Sequence, residues 1–176
     1  MATVSGWCTP LASKLNLRQI VLFGILGALT FGAKVVMSGL PNIEPVSLMV
    51  MLFAVVIGAK GLYAVSVYVI LELMVYGLAT WNIYYLYIWA ILFFAAYIMR
   101  KVTHPLAWAL LSGGFGLLFG LFCAPVDACI GGISYAAAKW VSGIGFDLLH
   151  CGGNFIIALM LFVPLRKLLT KLYSKI

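Results

Sequence analysis

The chain has 176 residues, of which 65% are apolar and 9% are charged, and its formal net charge is +7. An ordinary soluble domain carries about 25% charged residues, so this composition excludes a soluble globule. The long apolar runs do not alternate with polar residues, which excludes the ~10-residue alternating strands of a membrane barrel. The sequence therefore predicts an all-α integral membrane protein, in contact with lipid, whose length leaves room for about six spans of ~20 residues.

Six transmembrane helices are predicted in one domain covering residues 1–176. Residues 1–16 form a polar lead, and we interpret the apolar run that follows it as the first helix of a mature protein and not as a cleaved signal peptide. Pro45 suits the first turn of the second helix, where its missing N–H costs nothing. In chain order, the predicted helices are Leu17–Gly39, Pro45–Ile57, Leu62–Leu78, Tyr84–Met99, Leu106–Ala124 and Phe146–Leu169, followed by a basic tail over residues 170–176.

The segment between the fifth and sixth helices carries strong breaking signals. Pro125 is expected to end the fifth helix, because proline removes a helical hydrogen bond and clashes with the preceding turn. The glycine-containing stretch 126–145 is expected to be largely irregular, with a short helix around residues 135–141. No internal repeat is present, so an inverted-repeat transporter is not indicated.

The basic residues fall on one side of this map. Alternating spans place nine of the eleven basic residues at the side of the two termini, and the positive-inside rule makes that side cytoplasmic. Lys34 and Lys139 lie toward the other side. The nine are Lys14, Arg18, Lys60, Arg100, Lys101, Arg166, Lys167, Lys171 and Lys175. A basic charge explained by membrane topology gives no reason to expect a nucleic-acid partner.

Ionisable residues inside a membrane are costly and usually mark a functional cavity. Glu72 lies ten residues into the third helix, ~15 Å from its start and therefore near the midplane. A structural hydrogen bond, or a pair with Lys34, explains it as well. Lys34 lies near the outer interface, where a lysine can also extend its ammonium to water.

The sixth helix opens with three polar residues on one face. Asp147, His150 and Asn154 are spaced i, i+3 and i+7, so they face protein or a wet cavity and not lipid. A hydrogen-bonded seam between helices explains them as well as a ligand site does, since Gly152 and Gly153 permit close contact. Asp147 and His150 alone are a weak signal for a metal.

An aromatic segment lies at the outer end of the third and fourth helices. Trp and Tyr at this level usually form an interfacial belt, but their density also suits stacking of a planar ligand. The candidate ligand-binding residues, all in the outer half, are Lys34, Asn42, Glu44, Glu72, Trp81, Asn82, Tyr85, Trp89, Asp147, His150 and Asn154. Their excess of acids favours a ligand that is cationic or rich in hydrogen-bond donors.

Small residues recur on the first helix at Gly24, Ala28 and Gly32. Such a stripe allows another helix to approach closely, either inside the bundle or from a partner. The sequence contains no phosphate-binding loop, so any active transport needs energy from another chain. The four cysteines have no metal-type spacing and are expected to behave as small apolar residues, with a disulfide from Cys151 to Cys123 or Cys129 as the alternative.

The chain resembles the S-components, the substrate-binding membrane subunits of energy-coupling factor (ECF) vitamin transporters. The resemblance extends from Leu17 to Leu169 and depends on GILGALTFGAK in the first helix, PNIEPVSLMVMLFAVVIGAKG through the second, YLYIWAILF in the fourth and FDLLHCGGNF opening the sixth. It implies six helices, cytoplasmic termini in a bacterial plasma membrane, and an outward-facing vitamin site capped by the first, third and fifth loops.

The same resemblance implies partners and a substrate. It implies docking onto a membrane coupling subunit (T-component) that is bound to two ATPases, and it places the contact at Gly24 and Ala28. The family pattern is AxxxA, and this chain has glycine instead of alanine at its first position. The branch that fits best is linked to the lower ligand of cobalamin, α-ribazole or dimethylbenzimidazole. No cofactor and no enzymatic activity are expected. The alternatives are a transition-metal uptake subunit, a stand-alone channel and a membrane-embedded enzyme.

Overall fold

The computed structural model describes residues 14–39 and 43–176, so Asn42 and the polar lead before Lys14 lie outside the described residues. The described chain is almost entirely helical, which confirms the all-α prediction. Four stretches are long and apolar enough to cross a membrane, and two of them change direction internally. These stretches are Leu17–Val36, Val46–Tyr76, Thr80–Lys101 and Pro105–Tyr173.

Helix α1, Leu17–Val36, begins at a capping box. The Asn16 side chain accepts from the Gln19 amide, and the Gln19 side chain accepts from the Asn16 amide, so two unpaired donors of the first turn are satisfied. The exposed side chains of this helix are mostly apolar, as expected for contact with lipid.

Helix α2, Val46–Leu52, continues as a π-helical stretch at Phe53–Ile57 and a 3-10 turn at Gly58–Gly61. Gly58 has a φ of 76°, a conformation that favours glycine. A Cβ atom on Gly61 would lie 2.6 Å from the carbonyl oxygen of Phe53. These two glycines let the chain fold back tightly on itself.

Helix α3, Leu62–Tyr76, packs beside α1 and runs in the same direction. Gly27 lies against Ala64 and Val67, and further along both helices Lys34 meets Glu72. Because contacts advance together along the two helices, α1 and α3 are parallel. This geometry brings Lys34 and Glu72, which are 38 positions apart, to the same height.

Helix α4, Thr80–Ile98, begins four residues earlier than predicted. Trp81 and Asn82 belong to its first turn and not to a loop. Gly77, with a φ of 74°, ends α3 and allows this abrupt return. A 3-10 turn at Met99–Lys101 then ends the helix, as the basic residues there suggested.

The prediction for the end of the fifth helix and for the segment before Phe146 was wrong. Helix α5 covers Pro105–Leu117, and after a kink at Leu118 helix α6 covers Phe119–Tyr173. The only non-helical residue within α6 is Gly132, with a φ of 83°. The helix therefore passes through Pro125, stretch 126–145 is helical, and the predicted start at Phe146 lies inside a continuous arm of residues 133–173.

The chain reverses at Gly132, so that the two arms of α6 and helix α5 form one antiparallel hairpin. Asp127 contacts Lys139 near the tip, the Gly120 amide meets Asp147 further down, and Gly116 lies against the backbone of His150. Contacts that move back along one arm move forward along the other, which fixes the register. Small residues allow this close approach.

Helix α6 continues through Pro125 at a point where α4 packs against it. Proline and glycine are tolerated in membrane helices because neighbouring helices supply partners for the freed backbone groups. Pro125 removes the helical donor to the Leu121 carbonyl, and the Tyr87 hydroxyl of α4 donates to the adjacent Phe122 carbonyl, so α4 contacts the backbone at this point. Tertiary packing thus outweighs the local signal.

The basic residues gather at the ends of the bundle. At one end Lys60 donates to Gln19 near the start of α1, and Arg166 donates to the carbonyl groups of Val102 and Arg100. At the opposite end Lys139 pairs with Asp127 beside the start of α4. This distribution matches the grouping of charges on the sequence map.

Candidate ligand-binding site

Three helices meet at one buried ion pair. Lys34 Nζ of α1 lies 2.9 Å from Glu72 Oε2 of α3 and 3.2 Å from the Tyr85 hydroxyl oxygen of α4. The Glu72 side chain is fully buried and that of Lys34 is 19% exposed. We call Lys34, Glu72 and Tyr85 the open triad, because Glu72 Oε1 has no hydrogen-bond partner within the described residues.

The open triad lines a cleft of about 280 Å³ together with Tyr76 and Trp81. Small-molecule pockets typically measure ~300–1,000 Å³, so the cleft is at the small end of that range. Four residues predicted from the sequence thus lie together here. The positive Lys34 neutralises Glu72, and the ring faces of Tyr76 and Tyr85 lie 5.9 and 4.8 Å from its ammonium nitrogen.

Behind the cleft lies a group of buried aromatic rings. The Tyr85 ring is 5.3 Å from that of Trp89, and Tyr68 lies 6.0 Å from Trp89 in an edge-on arrangement. Trp89 in turn contacts Phe115 and Phe119 of the hairpin, at 5.9 and 6.1 Å between ring centroids. These rings connect the open triad to the hairpin.

The hairpin contributes two predicted residues to the same interior. His150 packs against the Phe119 ring at 4.9 Å. Asn154 Nδ2 donates to the Ser47 hydroxyl oxygen at 3.0 Å and to the Ser112 carbonyl at 3.3 Å. The hydrogen-bonded seam between helices that was predicted as one explanation for this polar face is therefore present. It still leaves His150 Nε2 and Asn154 Oδ1 without a hydrogen-bond partner among the described residues.

Six buried polar atoms along this path have no hydrogen-bond partner within the described residues. Almost all buried polar groups in proteins are hydrogen-bonded, because leaving one unpaired costs ~1–3 kcal/mol. Such a concentration in one interior indicates a surface completed by water or a ligand. We call this set the polar core: Tyr68 Oη, Glu72 Oε1, Trp89 Nε1, Ser112 Oγ, His150 Nε2 and Asn154 Oδ1.

Glu44 lies in the linker between the first two candidate spans and is half-buried. Burial raises the pKa of its carboxyl from 4.5 to about 7; Lys34 opposes this rise and Glu72 adds to it. Glu44 is therefore close enough to the open triad to interact with both of its charges. Near neutral pH its carboxyl is poised between the neutral and the charged form.

Two other predicted residues have structural partners of their own. The Asp147 carboxylate accepts from the Gly120 amide at 3.1 and 3.3 Å, where α6 restarts after the kink at Leu118. The Asn82 side-chain amide donates to the Gly77 carbonyl at the end of α3, while its Oδ1 is unpartnered among the described residues. Both explain local chain geometry without a ligand.

The described residues contain no group of three or more His, Cys, Asp or Glu side chains that could hold a metal ion. Cys123, Cys129 and Cys151 are free thiols. The unpartnered atoms of the polar core belong to hydroxyl, indole, amide, carboxylate and imidazole groups on four helices.

A second charged triad lies at the end of the bundle opposite to Lys60 and Arg166. Lys139 Nζ lies 2.7 Å from Asp127 Oδ1 and 2.8 Å from the Tyr84 hydroxyl, which itself donates to Asp127. We call these residues the closed triad, because all three contact one another. It joins the hairpin tip to α4, and the sequence analysis did not identify it.

The sequence analysis also missed Tyr68, Tyr76 and Ser112. Tyr68 and Tyr76 are each four residues from Glu72, and this helical spacing places them on its face. That signal was available from sequence. Ser112 had no such signal, because its position depends on the register of the hairpin.

The small-residue stripe of α1 faces away from the rest of the bundle. A Cβ atom added to Gly24 or Gly32 would meet nothing within 4 Å, and Ala28 is exposed. The glycine of α1 that packs inside is instead Gly27, whose added Cβ would lie 2.6 Å from Val67. Packing within the bundle therefore does not explain the stripe.

No known protein family matches this chain, and no curated protein or solved structure is significantly similar to it.

Proposed function

We propose that this chain is the substrate-capture subunit of an ECF-type vitamin importer in a bacterial plasma membrane. The observation that carries this proposal is the polar core, a set of unpartnered buried polar atoms among aromatic rings that pack edge-on beside the open triad. A membrane protein that only needed to fold would have no use for such atoms, since unpaired polar groups are more costly in a bilayer than in water.

The proposed topology has six membrane crossings and both ends in the cytoplasm. The six crossings are α1, α2 with its π-helical and 3-10 continuation to Gly61, α3, α4, the α5 segment with the first arm of α6, and the second arm. The second arm supports this assignment: Lys139 and Arg166 are separated by 27 residues, or ~40 Å of helix. That length is close to a bilayer including its headgroups, ~40–45 Å.

The proposed ligand is small, largely planar and able both to donate and to accept hydrogen bonds. The rings of Tyr68, Tyr85 and Trp89 offer surfaces for a planar molecule, and the polar core supplies donors and acceptors. Because Lys34 neutralises Glu72, the ligand needs at most one positive charge. An aromatic vitamin precursor such as α-ribazole or dimethylbenzimidazole is the more specific proposal, drawn from the resemblance.

The proposed partners are a membrane coupling subunit and two ATPase subunits. The outward-facing stripe of Gly24, Ala28 and Gly32 supports a helix-to-helix contact with the coupling subunit. This chain carries no phosphate-binding loop, so its own role would be capture, and energy would come from the partners.

Two experiments test these proposals separately. The first is mass spectrometry of small molecules released from the purified full-length protein, where a planar heterocycle at near-stoichiometric amount is expected. An inorganic metal as the released species would favour the metal-uptake alternative, and an empty protein in every lipid and detergent would count against capture.

The second experiment is co-purification with co-expressed ATPase and coupling subunits. Ala28→Phe is expected to abolish association, because a bulky ring on the stripe keeps a second helix away. Leu29→Phe is the matched control, since Leu29 is 58% exposed and adjacent but lies beside the stripe. Equal association of both variants would contradict the proposed docking face.

A further inference from the structure

A groove lined by basic residues lies at the end of the hairpin that the proposed topology places in the cytoplasm, away from the polar core. Its volume is about 480 Å³, and we call it the basic groove. It is lined by Thr103, Val163, Arg166, Lys167, Thr170, Lys171 and Ser174. Six of these residues are spaced i, i+3, i+4, i+7, i+8 and i+11 along the second arm of α6, so they form a single face.

The groove is electropositive and has no carboxylate side chain among its lining residues. The four acids of the chain are Glu44, Glu72, Asp127 and Asp147, and none of them lines this groove. Three cations therefore face a common space without a counter-charge from an acidic side chain. Charge complementarity calls for an anion.

Arg166 is held in place before any ligand arrives. Its two terminal nitrogens donate to the carbonyl groups of Val102 and Arg100, at 3.2 and 3.4 Å. A guanidinium has five N–H donors, so three remain for an anion. The Thr103 hydroxyl makes no hydrogen bond within the described residues, whereas Thr170 and Ser174 donate to backbone carbonyls of their own helix.

An apolar track continues from the groove along the same face of the arm. Val163 lines the groove, and one to two turns further Ile156, Leu159 and Met160 are 56%, 42% and 68% exposed. A cationic groove that opens onto an exposed apolar track matches a molecule with a phosphate at one end and an acyl chain at the other. Basic pockets beside membrane helices bind such headgroups.

We propose that the basic groove binds the headgroup phosphate of an anionic phospholipid in the inner leaflet, with the acyl chain along Ile156, Leu159 and Met160. A free phosphate would satisfy the cations but would have no use for the apolar track. This inference is independent of the captured ligand.

The test is retention of lipid by full-length protein in mixed phosphatidylcholine and phosphatidylglycerol bilayers, followed by native mass spectrometry. Lys167→Gln with Lys171→Gln removes two groove charges, and Lys14→Gln with Arg18→Gln removes two exposed charges at the start of α1. Both double variants lower the net charge equally. The groove variant is expected to retain phosphatidylglycerol about tenfold more weakly than the control variant, with equal thermal stability.

The outcomes separate the sources of the anion. Retention that survives millimolar inorganic phosphate and depends on the groove lysines supports the proposal. Equal loss in both double variants would show only non-specific attraction of net charge and would overturn it. Full competition by inorganic phosphate would assign the groove to a soluble anion, and groove-dependent loss of a co-purified partner subunit in lipid-free detergent would assign it to a protein. Either result overturns the lipid proposal.

Discussion

The molecule contains two triads of the same chemistry, each built from a lysine, an acid and a tyrosine, and α4 supplies the adjacent tyrosines. In the closed triad, Tyr84 and Lys139 both contact Asp127. In the open triad, Lys34 contacts both Glu72 and Tyr85, and the Tyr68 hydroxyl lies beside the Glu72 carboxylate but outside hydrogen-bonding geometry. Glu72 Oε1 is left without a partner in a fully buried side chain.

The difference separates a structural charge pair from a receptive one. In the closed triad the acid accepts two hydrogen bonds on Oδ1, and the lysine side chain is 41% exposed. The open triad lines a cleft, and five further unpartnered polar groups lie in the interior of the same bundle. Charge and burial alone would not distinguish Asp127 from Glu72. They are distinguished by Glu72 Oε1, a buried oxygen without a hydrogen-bond partner in the described part of the chain.

Removing the acid of each triad should have opposite consequences, and ligand retention should show the largest effect. Glu72→Gln keeps the size of the side chain but replaces a charged acceptor. Hydrogen bonds to charged groups contribute ~1.5–3 kcal/mol, so we expect a ten- to hundredfold loss of the small molecule retained by the purified protein. Mass spectrometry of the released molecule, per mole of protein, measures this.

Asp127→Asn is the matched change in the closed triad, and retention should stay within about twofold of the unmodified protein, well below the effect at Glu72. If the two variants lose the ligand equally, the distinction between open and closed triads fails. If neither loses it, the ligand lies elsewhere in the bundle.

The hairpin wall of the polar core can be displaced without touching either triad. A Cβ atom on Gly116 would lie 2.8 Å from the backbone carbonyl of His150, whereas one on Gly114 would meet nothing within 4 Å. Gly116→Ala should destabilise by about 1–3 kcal/mol. Gly114→Ala should be neutral or slightly stabilising, since alanine favours a helix.

Thermal unfolding in detergent measures this pair of glycine variants. Retained ligand should fall only in Gly116→Ala, because the substitution moves the arm that carries His150 and Asn154. Equal stability of the two variants would mean that the arms are not packed at the register described, and the hairpin side of the polar core would then be undefined.

The closed triad should reveal itself through stability. Asp127→Asn leaves Lys139 without an anionic partner, but its ammonium can turn to water, so we expect a loss of about 1 kcal/mol. Lys139→Met should cost at least as much, because it leaves a buried carboxylate unpaired. A double variant that is no worse than Lys139→Met alone would show the coupling directly. Full additivity of the two single losses would contradict a closed triad.

The sequence predicted the fold class and most helix positions because apolar length and charge placement determine them. It failed between Pro125 and Phe146, where local breaking signals were outweighed by packing. The Tyr87 hydroxyl and the closely packed glycines compensate there. Neither compensation is visible without knowing that these segments are neighbours.

The candidate site was predictable to a similar degree. A buried acid and a dense aromatic segment stand out in any membrane sequence, so Glu72, Trp81 and Tyr85 were found. Distinguishing them from Asp147 required the structure, because the Gly120 amide that satisfies Asp147 lies 27 residues away across the hairpin. Asn42, also predicted, lies outside the described residues.

The smallest expected effect is a dependence on pH, which tests whether Glu44 acts together with the open triad. Glu44 has a carboxyl pKa raised by burial to about 7, and the charged groups acting on it are Lys34, which lowers the pKa, and Glu72, which raises it. A folded pKa above the ordinary 4.5 means that the native state holds the proton more tightly. The stability of the ligand-free protein should therefore fall as pH rises from 4.5 to 7.

Ligand affinity should change in the opposite direction. Above pH 7 the charged carboxylate of Glu44 is a stronger acceptor for a cationic or donor-rich ligand, so affinity should rise about fivefold between pH 6 and 8. Titration calorimetry with the identified ligand measures it. Glu44→Gln should flatten both pH dependences while Asp127→Asn keeps them. If stability or affinity still depended on pH in Glu44→Gln, the titrating group would be another residue. Glu44 would then not act as a third charge beside Lys34 and Glu72.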